Sequence, residues 1–164
     1  ANTAAAIKIA AANGGASLTT TSAAILAGHQ YSVFLSDDST TPSGYTVSLL
    51  TDQQIPAASG HSAFRFLNQA TKTGAVDVYM IPSGAKLADT IPIATALPVG
   101  SSASYISFPS QTVTMVITPT GTTTPMYTST AMALTGGEVR TVLLIDAQLT
   151  SNPPVEAFIA NDVD

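Results

Sequence analysis

An internal repeat constrains the fold of this chain more than any other feature. A shift of 108 residues, with one or two extra residues in the later copy, places residues 7–52 on residues 115–162. The aligned pairs include Ile7 with Met115, Ile9 with Ile117, Leu26 with Leu134, Val33 with Val142, and Asp52 with Asp162. Residues 61–108 have no counterpart upstream. Because repeats set the architecture of a chain, the sequence predicts half a module followed by a whole one.

Short runs of β-forming residues recur along the whole sequence. They are rich in Val, Ile, Thr, Tyr and Phe, and Gly, Pro, Asn or Ser separates each run from the next. Phe64 and Phe66 share one face of such a run and Arg65 lies on the other, which is the alternation of a strand in a sandwich. No apolar stripe of helical period persists. The pattern predicts an all-β fold, an antiparallel sandwich.

The predicted strands divide into two groups. In the first part we expect strands near 4–12, 16–26, 30–36 and 45–51; in the second, near 62–68, 75–81, 86–93, 102–108, 111–118, 124–134, 138–146 and 155–160. Residues 1–57 are therefore predicted to form a half-module, residues 58–61 a linker, and residues 62–164 a complete module.

Composition narrows the range of partners. Of the 164 residues 45% are apolar, so the chain can bury a sizeable core. Only 9% are charged and the net charge is −5, which makes nucleic acid and anionic membranes poor partners. No apolar run has the roughly 20 residues of a membrane span, and without cysteine no disulfide or thiolate metal site can form. A surface of Ser, Thr, Asn and Gln can lie against copies of itself at little desolvation cost.

No constellation of residues indicates catalysis. His29 precedes a predicted strand and His61 lies in the predicted linker, so both are interpreted as solvated loop side chains. No serine stands in a Gly-x-Ser-x-Gly context, and no phosphate-binding glycine loop or metalloprotease motif occurs. Glu138 and Glu156 lack a carboxylate partner at any readable spacing. The sequence predicts a non-enzymatic protein that needs no cofactor.

Aspartates at the ends of predicted strands are weak candidates for a calcium site. One set consists of Asp37, Asp38 and Asp52, and a second of Asp146, Asp162 and Asp164. Calcium takes about six to eight oxygen ligands, usually with several carboxylates from one loop. Adjacent aspartates at a strand end are more often turn formers, which is the interpretation that we favour.

Four short motifs resemble a known family. They are Phe64-Arg65-Phe66-Leu67-Asn68, Val76-Asp77-Val78-Tyr79, Ser104-Tyr105-Ile106, and Leu134-Thr135-Gly136-Gly137 leading into Thr141-Val142. Together they resemble the DUF4397 family over residues 62–164, and the repeat extends the resemblance to residues 1–57. One departure is Pro82-Ser83 before Gly84, where the family commonly has glycine directly after the strand. The resemblance implies an immunoglobulin-like β-sandwich of exported proteins, often in tandem, with no established activity.

The motifs also single out residues with a structural role. These residues are Arg65, Asn68, Asp77, Tyr79 and Tyr105. A buried arginine without a partner is costly, so we expect Arg65 to pair with Asp77 across the sheet or to bond loop carbonyls. We interpret the motif as architectural rather than as a ligand site.

A half-module leaves an open question about what completes it. Four strands with one apolar face, which includes Val33, Leu35, Val47 and Leu49, cannot close a sandwich alone, and their edges would offer backbone groups to another strand. The half could pack on the whole module of its own chain, be completed by another copy, or be a piece of a longer chain. Completion by a different surface of the next copy is a head-to-tail contact that propagates.

The leading hypothesis is therefore an exported structural protein, extracellular or at the cell surface, that self-assembles into a filament or surface layer. Its intersubunit strands would carry Ile7, Ile9, Leu18 and Ile25, with Ile7 and Ile9 filling the neighbour's core and Lys8 pointing outward. Copies of the chain would be its partners. The alternative is a monomeric adhesion or carbohydrate-binding module that binds cell-surface glycans through loops containing Tyr45 and Tyr127.

Overall fold

A computed structural model describes residues 3–12, 14–38, 40–147 and 154–163. The chain forms two compact units, Ala1–Gln54 (unit 1) and Ile55–Asp164 (unit 2). The division falls three residues before the predicted boundary at residue 57. The predicted linker, residues 58–61, belongs to unit 2, where the Gly60 carbonyl accepts the Ser110 amide at 2.8 Å.

Unit 1 consists of two β-hairpins. Strand β1 (Thr3–Ala10) pairs antiparallel with β2 (Ser17–Ile25), and β3 (Tyr31–Asp37) pairs antiparallel with β4 (Tyr45–Thr51). The turn between β3 and β4 contains Gly44 at φ +74°, a left-handed conformation that favours glycine. In β1, Ile7 and Ile9 are partly buried and Lys8 is exposed, as the alternating pattern predicts. The four strands predicted for this part of the chain are confirmed.

Unit 2 is a sandwich of two sheets, each with five strands among the described residues. Its strands are β5 (His61–Gln69), β6 (Val76–Pro82), β7 (Ala94–Leu97), β8 (Ser101–Ser102), β9 (Ile106–Pro109), β10 (Thr112–Pro119), β11 (Tyr127–Thr128), β12 (Met132–Ala133), β13 (Val139–Asp146) and β14 (Val155–Asn161). One sheet has the order β11-β10-β6-β7, with β12 also on β10; the other has the order β14-β13-β5-β8, with β9 also on β5.

The core of unit 2 lies between these sheets. One sheet contributes Phe64, Phe66, Val142, Leu144 and Val155, and the other Val76, Val78, Met80, Val113, Met115 and Ile117. All are buried because each strand presents alternate side chains to the facing sheet. The prediction of an all-β sandwich is confirmed. The described residues include no helix long and apolar enough to cross a membrane.

Several details of unit 2 differ from the sequence-based prediction. The strand predicted over 102–108 is divided into β8 and β9. The ladder between β13 and β5 is parallel, so the sheets are not purely antiparallel. Residues 86–93 do not form a strand: a 3-10 turn spans Leu87–Asp89, and Ile91 is 83% exposed beside Pro92, which has no amide to donate. The strand predicted over 124–134 is broken where the Ser129 hydroxyl accepts the Met115 amide at 2.9 Å, a bond that replaces a backbone pair.

Candidate functional site

Arg65 is a buried charge of unit 2 with polar contacts within its own sheet. Its side chain is 4% exposed, and its Nε and Nη2 donate to the hydroxyl of Thr141 on β13 at 3.0 and 2.7 Å. Nη2 also lies 4.0 Å from Oδ2 of Asp162, which accepts the Thr141 hydroxyl at 2.7 Å and the Tyr105 hydroxyl at 2.6 Å. The guanidinium carbon lies 4.7 Å from the centre of the Tyr105 ring. The bonds among Arg65, Thr141, Asp162 and Tyr105 therefore hold β5 against β13 and give the buried guanidinium its partners.

Asp77 does not pair with Arg65, and the predicted contact between them is wrong. Arg65 lies on β5 and Asp77 on β6, in different sheets. The Asp77 carboxylate instead accepts the backbone amides of Ala96 and Gly121 at 2.7 and 2.8 Å. Ala96 has φ +49°, so the buried carboxylate holds a backbone conformation that alanine rarely adopts. Asp77 thus fixes the irregular part of β7 and the turn that follows β10.

Asn68 and Tyr79 occupy structural positions, as interpreted from the sequence. The Asn68 amide donates to the carbonyls of Gly74 and Leu97, both at 2.9 Å, and its oxygen accepts the Ala70 amide at 3.0 Å. These bonds shape the chain as it leaves β5. Tyr79 is 6% exposed and packs in a second, smaller apolar cluster of unit 2.

Asp146, at the end of β13, holds the turn that connects β5 to β6. Its Oδ2 accepts the Thr71 hydroxyl at 3.1 Å and the Lys72 amide at 2.8 Å, and its Oδ1 accepts the Thr73 hydroxyl at 2.9 Å. One carboxylate therefore bonds three successive residues of the turn. Sequence reasoning missed this role, because nothing in the sequence shows that residue 146 and residues 71–73 lie together.

Unit 1 repeats the acceptor groups of these two bonding networks. In the repeat alignment, Ser32 is equivalent to Thr141, Asp52 to Asp162, and Asp37 to Asp146. The Ser32 hydroxyl donates to Oδ2 of Asp52 at 3.0 Å, the same bond that Thr141 makes to Asp162 at 2.7 Å. Residues 1–54 contain no arginine.

The apolar residues of β3 are exposed where those of β13 are buried. Val33 is 46% and Leu35 39% exposed, whereas their counterparts Val142 and Leu144 are both fully buried at 0%. β13 pairs with β14 and β5, but among the described strands β3 pairs with β4 alone. In unit 2, β5 pairs with one edge of β13. We call the equivalent edge of β3 the β3 edge. It comprises Ser32, Val33, Leu35 and Asp37 of β3, together with Asp52, which follows β4.

The aspartates proposed for calcium do not form one site. Asp37 pairs with Tyr45 at one end of the β3–β4 hairpin, whereas Asp52 follows the Tyr31–Thr51 pair at the other end. Asp38 accepts the amide and the hydroxyl of Thr40 within its own turn, and these bonds lower the pKa of its carboxyl. The set of Asp37, Asp38 and Asp52 is therefore wrong as a single ligand group.

The second calcium set fails for the same reason. Asp146 pairs with Val155 at one end of the β13–β14 hairpin, and Asp162 follows the Arg140–Asn161 pair at the other. Asp164 lies outside the described residues. Within the part of the chain that the structure describes, no three histidine, aspartate or glutamate side chains gather closely enough to hold a metal ion.

The two histidines belong to different units. His29 is exposed, and its Nδ1 lies 3.3 Å from the Ala27 carbonyl. His61 begins β5, with its Nδ1 3.3 Å from the Ser59 carbonyl. Each ring nitrogen thus contacts a backbone group two residues earlier in the chain, which is a local loop interaction.

The residues proposed as intersubunit contacts all lie on the first hairpin. Ile7 and Ile9 share the partly buried face of β1, and Leu18 and Ile25 are partly buried on β2. The counterparts of Ile7 and Ile9, Met115 and Ile117, are fully buried in the core of unit 2. The same sequence positions thus reach full burial only in the complete unit.

Comparison with known proteins places part of the chain in a family. A search of curated proteins gave no match. A family model described as "Domain of unknown function (DUF4397)" matches residues 2–79. The match covers unit 1, β5 and part of β6, so it includes the motifs around Arg65 and Asp77 but neither of the later two. This match supports the DUF4397 resemblance predicted from the sequence over residues 2–79, whereas the sequence analysis placed the whole module at residues 62–164.

Proposed function

We propose that the chain is a non-enzymatic, exported structural subunit that assembles with copies of itself, through strand addition to unit 1, into an extracellular filament or surface layer. The observation that carries this proposal is the exposure of Val33 and Leu35 at 46% and 39%, where Val142 and Leu144 are at 0%. An apolar sheet surface that is buried in one copy of a repeat and exposed in the other is suited to bind an added strand.

The energetics support association at this surface. Burying an exposed Val or Leu side chain stabilises a complex by about 1.5–3 kcal/mol at full burial. A strand at the edge of a sheet also offers backbone groups to an added strand. The low fraction of charged residues, 9%, leaves little electrostatic repulsion to oppose close packing of subunits.

The closed core of unit 2 bears on the part that the first hairpin would play in the proposed assembly. Ile7 and Ile9 were expected to fill the core of a neighbour. In unit 2, however, β10 already supplies Met115 and Ile117 to those positions, and the core is closed. We therefore assign β1 and β3 as the strands that receive a neighbouring subunit's strands. A contact between two different surfaces of the subunit propagates into a ring or a filament.

The test is a pair of substitutions on the β3 edge of the full chain. Val33→Thr with Leu35→Thr removes the exposed apolar surface while preserving strand propensity. Ile91→Thr is the matched control, because Ile91 is 83% exposed in a loop of unit 2. Sedimentation velocity and negative-stain electron microscopy measure assembly. We expect the parent chain and Ile91→Thr to form polymers and the double variant to remain a monomer.

Two results would overturn the proposal. One is a parent chain that stays monomeric at all accessible concentrations, and the other is a double variant that polymerises like the parent. Glycan-array binding by a strictly monomeric preparation would instead support the adhesion module as the function.

A further inference from the structure

We infer that β14 is an interface between two copies of this chain: the β14 strands of two subunits pair antiparallel about Phe158 and join their sheets across a two-fold axis. The inference goes beyond the proposed function, because it concerns unit 2 and does not use the β3 edge. Each copy supplies the strand that the other needs, since among the described strands β14 pairs with β13 alone and leaves its second edge open.

β14 lacks the features that normally keep an edge strand from pairing. Among the described strands of unit 2, the other sheet edges are β7, whose ladder has a register shift between Val76 and Val78, and the strands β8, β9, β11 and β12, which have two to four residues. β14 instead forms seven consecutive pairs with β13 without a register shift, and it contains no proline. A long, regular edge strand is a template for another strand.

The open edge of β14 also carries exposed apolar side chains. Phe158 is 54% and Ile159 39% exposed. The repeat does not account for this surface: by the registers of the two hairpins, β4 has Ser48 at the position of Phe158, and Leu49, at the position of Ile159, is partly buried. Adjacent exposed apolar residues on an open edge indicate a contact surface.

The backbone bonds of β14 determine which groups are available to a partner. The Asp162 amide donates to the Val139 carbonyl at 2.8 Å, and the Pro154 carbonyl accepts the Ala147 amide at 2.9 Å. Because the N–H and C=O of one residue point to the same side of an antiparallel ladder, the even-numbered residues of β14 bond β13 and the odd-numbered ones point to the open edge. The outward-pointing residues are Val155, Ala157, Ile159 and Asn161.

An antiparallel pair centred on Phe158 uses the whole strand, because Phe158 is the middle residue of Val155–Asn161. In this register the outward-pointing residues face one another in hydrogen-bonded pairs, with Ile159 opposite Ala157 of the second copy. Phe158 faces its own counterpart at a non-hydrogen-bonded position, where opposite Cα atoms lie about 4.5 Å apart. The two rings therefore pack against each other on the face of the sheet that points away from the core.

The charges of β14 permit this contact between identical strands. Glu156 is the only charged residue of the strand, and in the centred register it lies opposite Ala160 of the second copy. No like charges therefore face each other within the paired strands. A pair of seven-residue strands is small compared with the roughly 1,200–2,000 Å² of a stable interface, so the dimer is weak. The contact closes on two copies, and it would add a lateral pairing to a head-to-tail filament.

The experiment measures self-association of the full chain carrying Val33→Thr and Leu35→Thr, which remove the proposed head-to-tail contact. Sedimentation equilibrium over a series that reaches about 1 mM gives the dimerisation constant. Phe158→Lys and Phe158→Glu are introduced separately into this background. Ile91→Lys is the matched control, because Ile91 is an exposed apolar residue of unit 2 outside the strands. Circular dichroism checks that each variant keeps its β-sheet content.

We expect the background chain and its Ile91→Lys form to dimerise equally, at concentrations above those at which the parent chain polymerises. Phe158→Lys and Phe158→Glu should each weaken dimerisation about tenfold or more, because each places two like charges opposite each other across the axis. An equimolar mixture of these two variants should regain dimers, because a lysine of one subunit then faces a glutamate of the other.

Three results would overturn the inference: a background chain that stays monomeric throughout the series, equal dimerisation of Phe158→Lys and Ile91→Lys, or a mixture that associates no better than its components. Stronger dimerisation of Phe158→Lys with weaker dimerisation of Phe158→Glu would place Phe158 opposite Glu156 and overturn the centred register. Dimers in this background together with a parent chain that never polymerises would overturn the proposed assembly and support the β14 interface.

Discussion

The β3–β4 hairpin of unit 1 and the β13–β14 hairpin of unit 2 share a sequence pattern but differ in burial. Each hairpin forms seven antiparallel residue pairs in the same register. The first pair is Tyr31 with Thr51 in unit 1 and Arg140 with Asn161 in unit 2. Yet the apolar residues that β13 buries completely are more than a third exposed on β3. The difference arises from β5, which adds a second ladder to β13.

The comparison separates what is local in this fold from what is not. Alternation and turn residues within the hairpin fix its strands and their register. Burial depends on a strand that is distant in the sequence, because β5 ends 70 residues before β13 begins. A hairpin can therefore be correctly formed and still be incomplete as a part of a sandwich.

The largest effect is expected from removing the arginine that joins β5 to β13. Arg65→Met leaves Asp162 buried without its cation, so the unfolding free energy of unit 2 should fall by about 3–5 kcal/mol. Urea denaturation followed by amide exchange of β13 measures this loss. Arg140→Met is the control, because the partly buried Arg140 pairs with Glu138 at 2.7 Å and both side chains are more than a fifth exposed, so its loss should cost less than that of Arg65. Equal losses in the two variants would show that Arg65 does not lock the strands.

The second prediction compares the same truncation in the two hairpins. Leu144→Ala creates a cavity in the core and should cost about 2–5 kcal/mol. Leu35→Ala changes a side chain that is 39% exposed and should alter stability by about 0.5 kcal/mol at most in the monomer. The measurement is urea denaturation of both variants at a concentration where the chain is monomeric. A large loss in Leu35→Ala would mean that the β3 edge is already covered.

A third, smaller difference concerns the turn after β5. Asp146→Ala removes the acceptor of three hydrogen bonds and should destabilise unit 2 by about 1–3 kcal/mol. Asp37→Ala, the matched change in unit 1, should leave the monomer unchanged. Exchange of the Lys72 amide, which donates to Asp146, reports the loss directly. An unchanged exchange rate in Asp146→Ala would contradict the role of this carboxylate.

The sequence was sufficient for the strands of unit 1 and for most of those of unit 2. Alternation placed Phe64 and Phe66 in the core and Arg65 on the opposite face, as the structure shows. The prediction failed where apolar residues mimic a strand in a loop, as at Ile91 beside Pro92. It failed again where Ser129 bonds the backbone and interrupts a ladder. In both cases a local feature, a proline without an amide or a side-chain hydroxyl that bonds the backbone, prevents strand pairing. An alternating hydrophobic pattern does not reveal such features.

The partners of the charged residues could not be predicted from one sequence. Arg65 and Asp77 are close in the chain and opposite in charge, which made them plausible partners, but they lie in different sheets. The repeat held the missing information, because Asp52 and Asp162 occupy equivalent positions and each accepts a neighbouring hydroxyl. The repeat alignment identified that equivalence, but only the coordinates show the hydroxyl–carboxylate bond that the two positions share.

The smallest expected effect is a change in the pKa of Asp38, a residue of unit 1 whose repeat counterpart in unit 2 is not an aspartate. Asp38 accepts the Thr40 hydroxyl and amide, which lower its pKa below the ordinary value of 3.8. Its counterpart in unit 2 is Ala147, so this turn contribution exists in unit 1 alone. Because the folded pKa is the lower one, the stabilisation is fully present above pH 3.8 and is lost as the pH falls through the folded value.

A carbon-detected NMR titration of the Asp38 carboxyl should therefore give a midpoint below 3.8. Thr40→Val removes the hydroxyl, the largest cause of the shift, so the midpoint should move toward 3.8. Thr41→Val is the matched control, because the Thr41 hydroxyl bonds backbone carbonyls, including that of Asp38, and not the carboxylate. A midpoint that moves equally in both variants would mean that the whole turn, rather than the Thr40 hydroxyl, sets the pKa of Asp38.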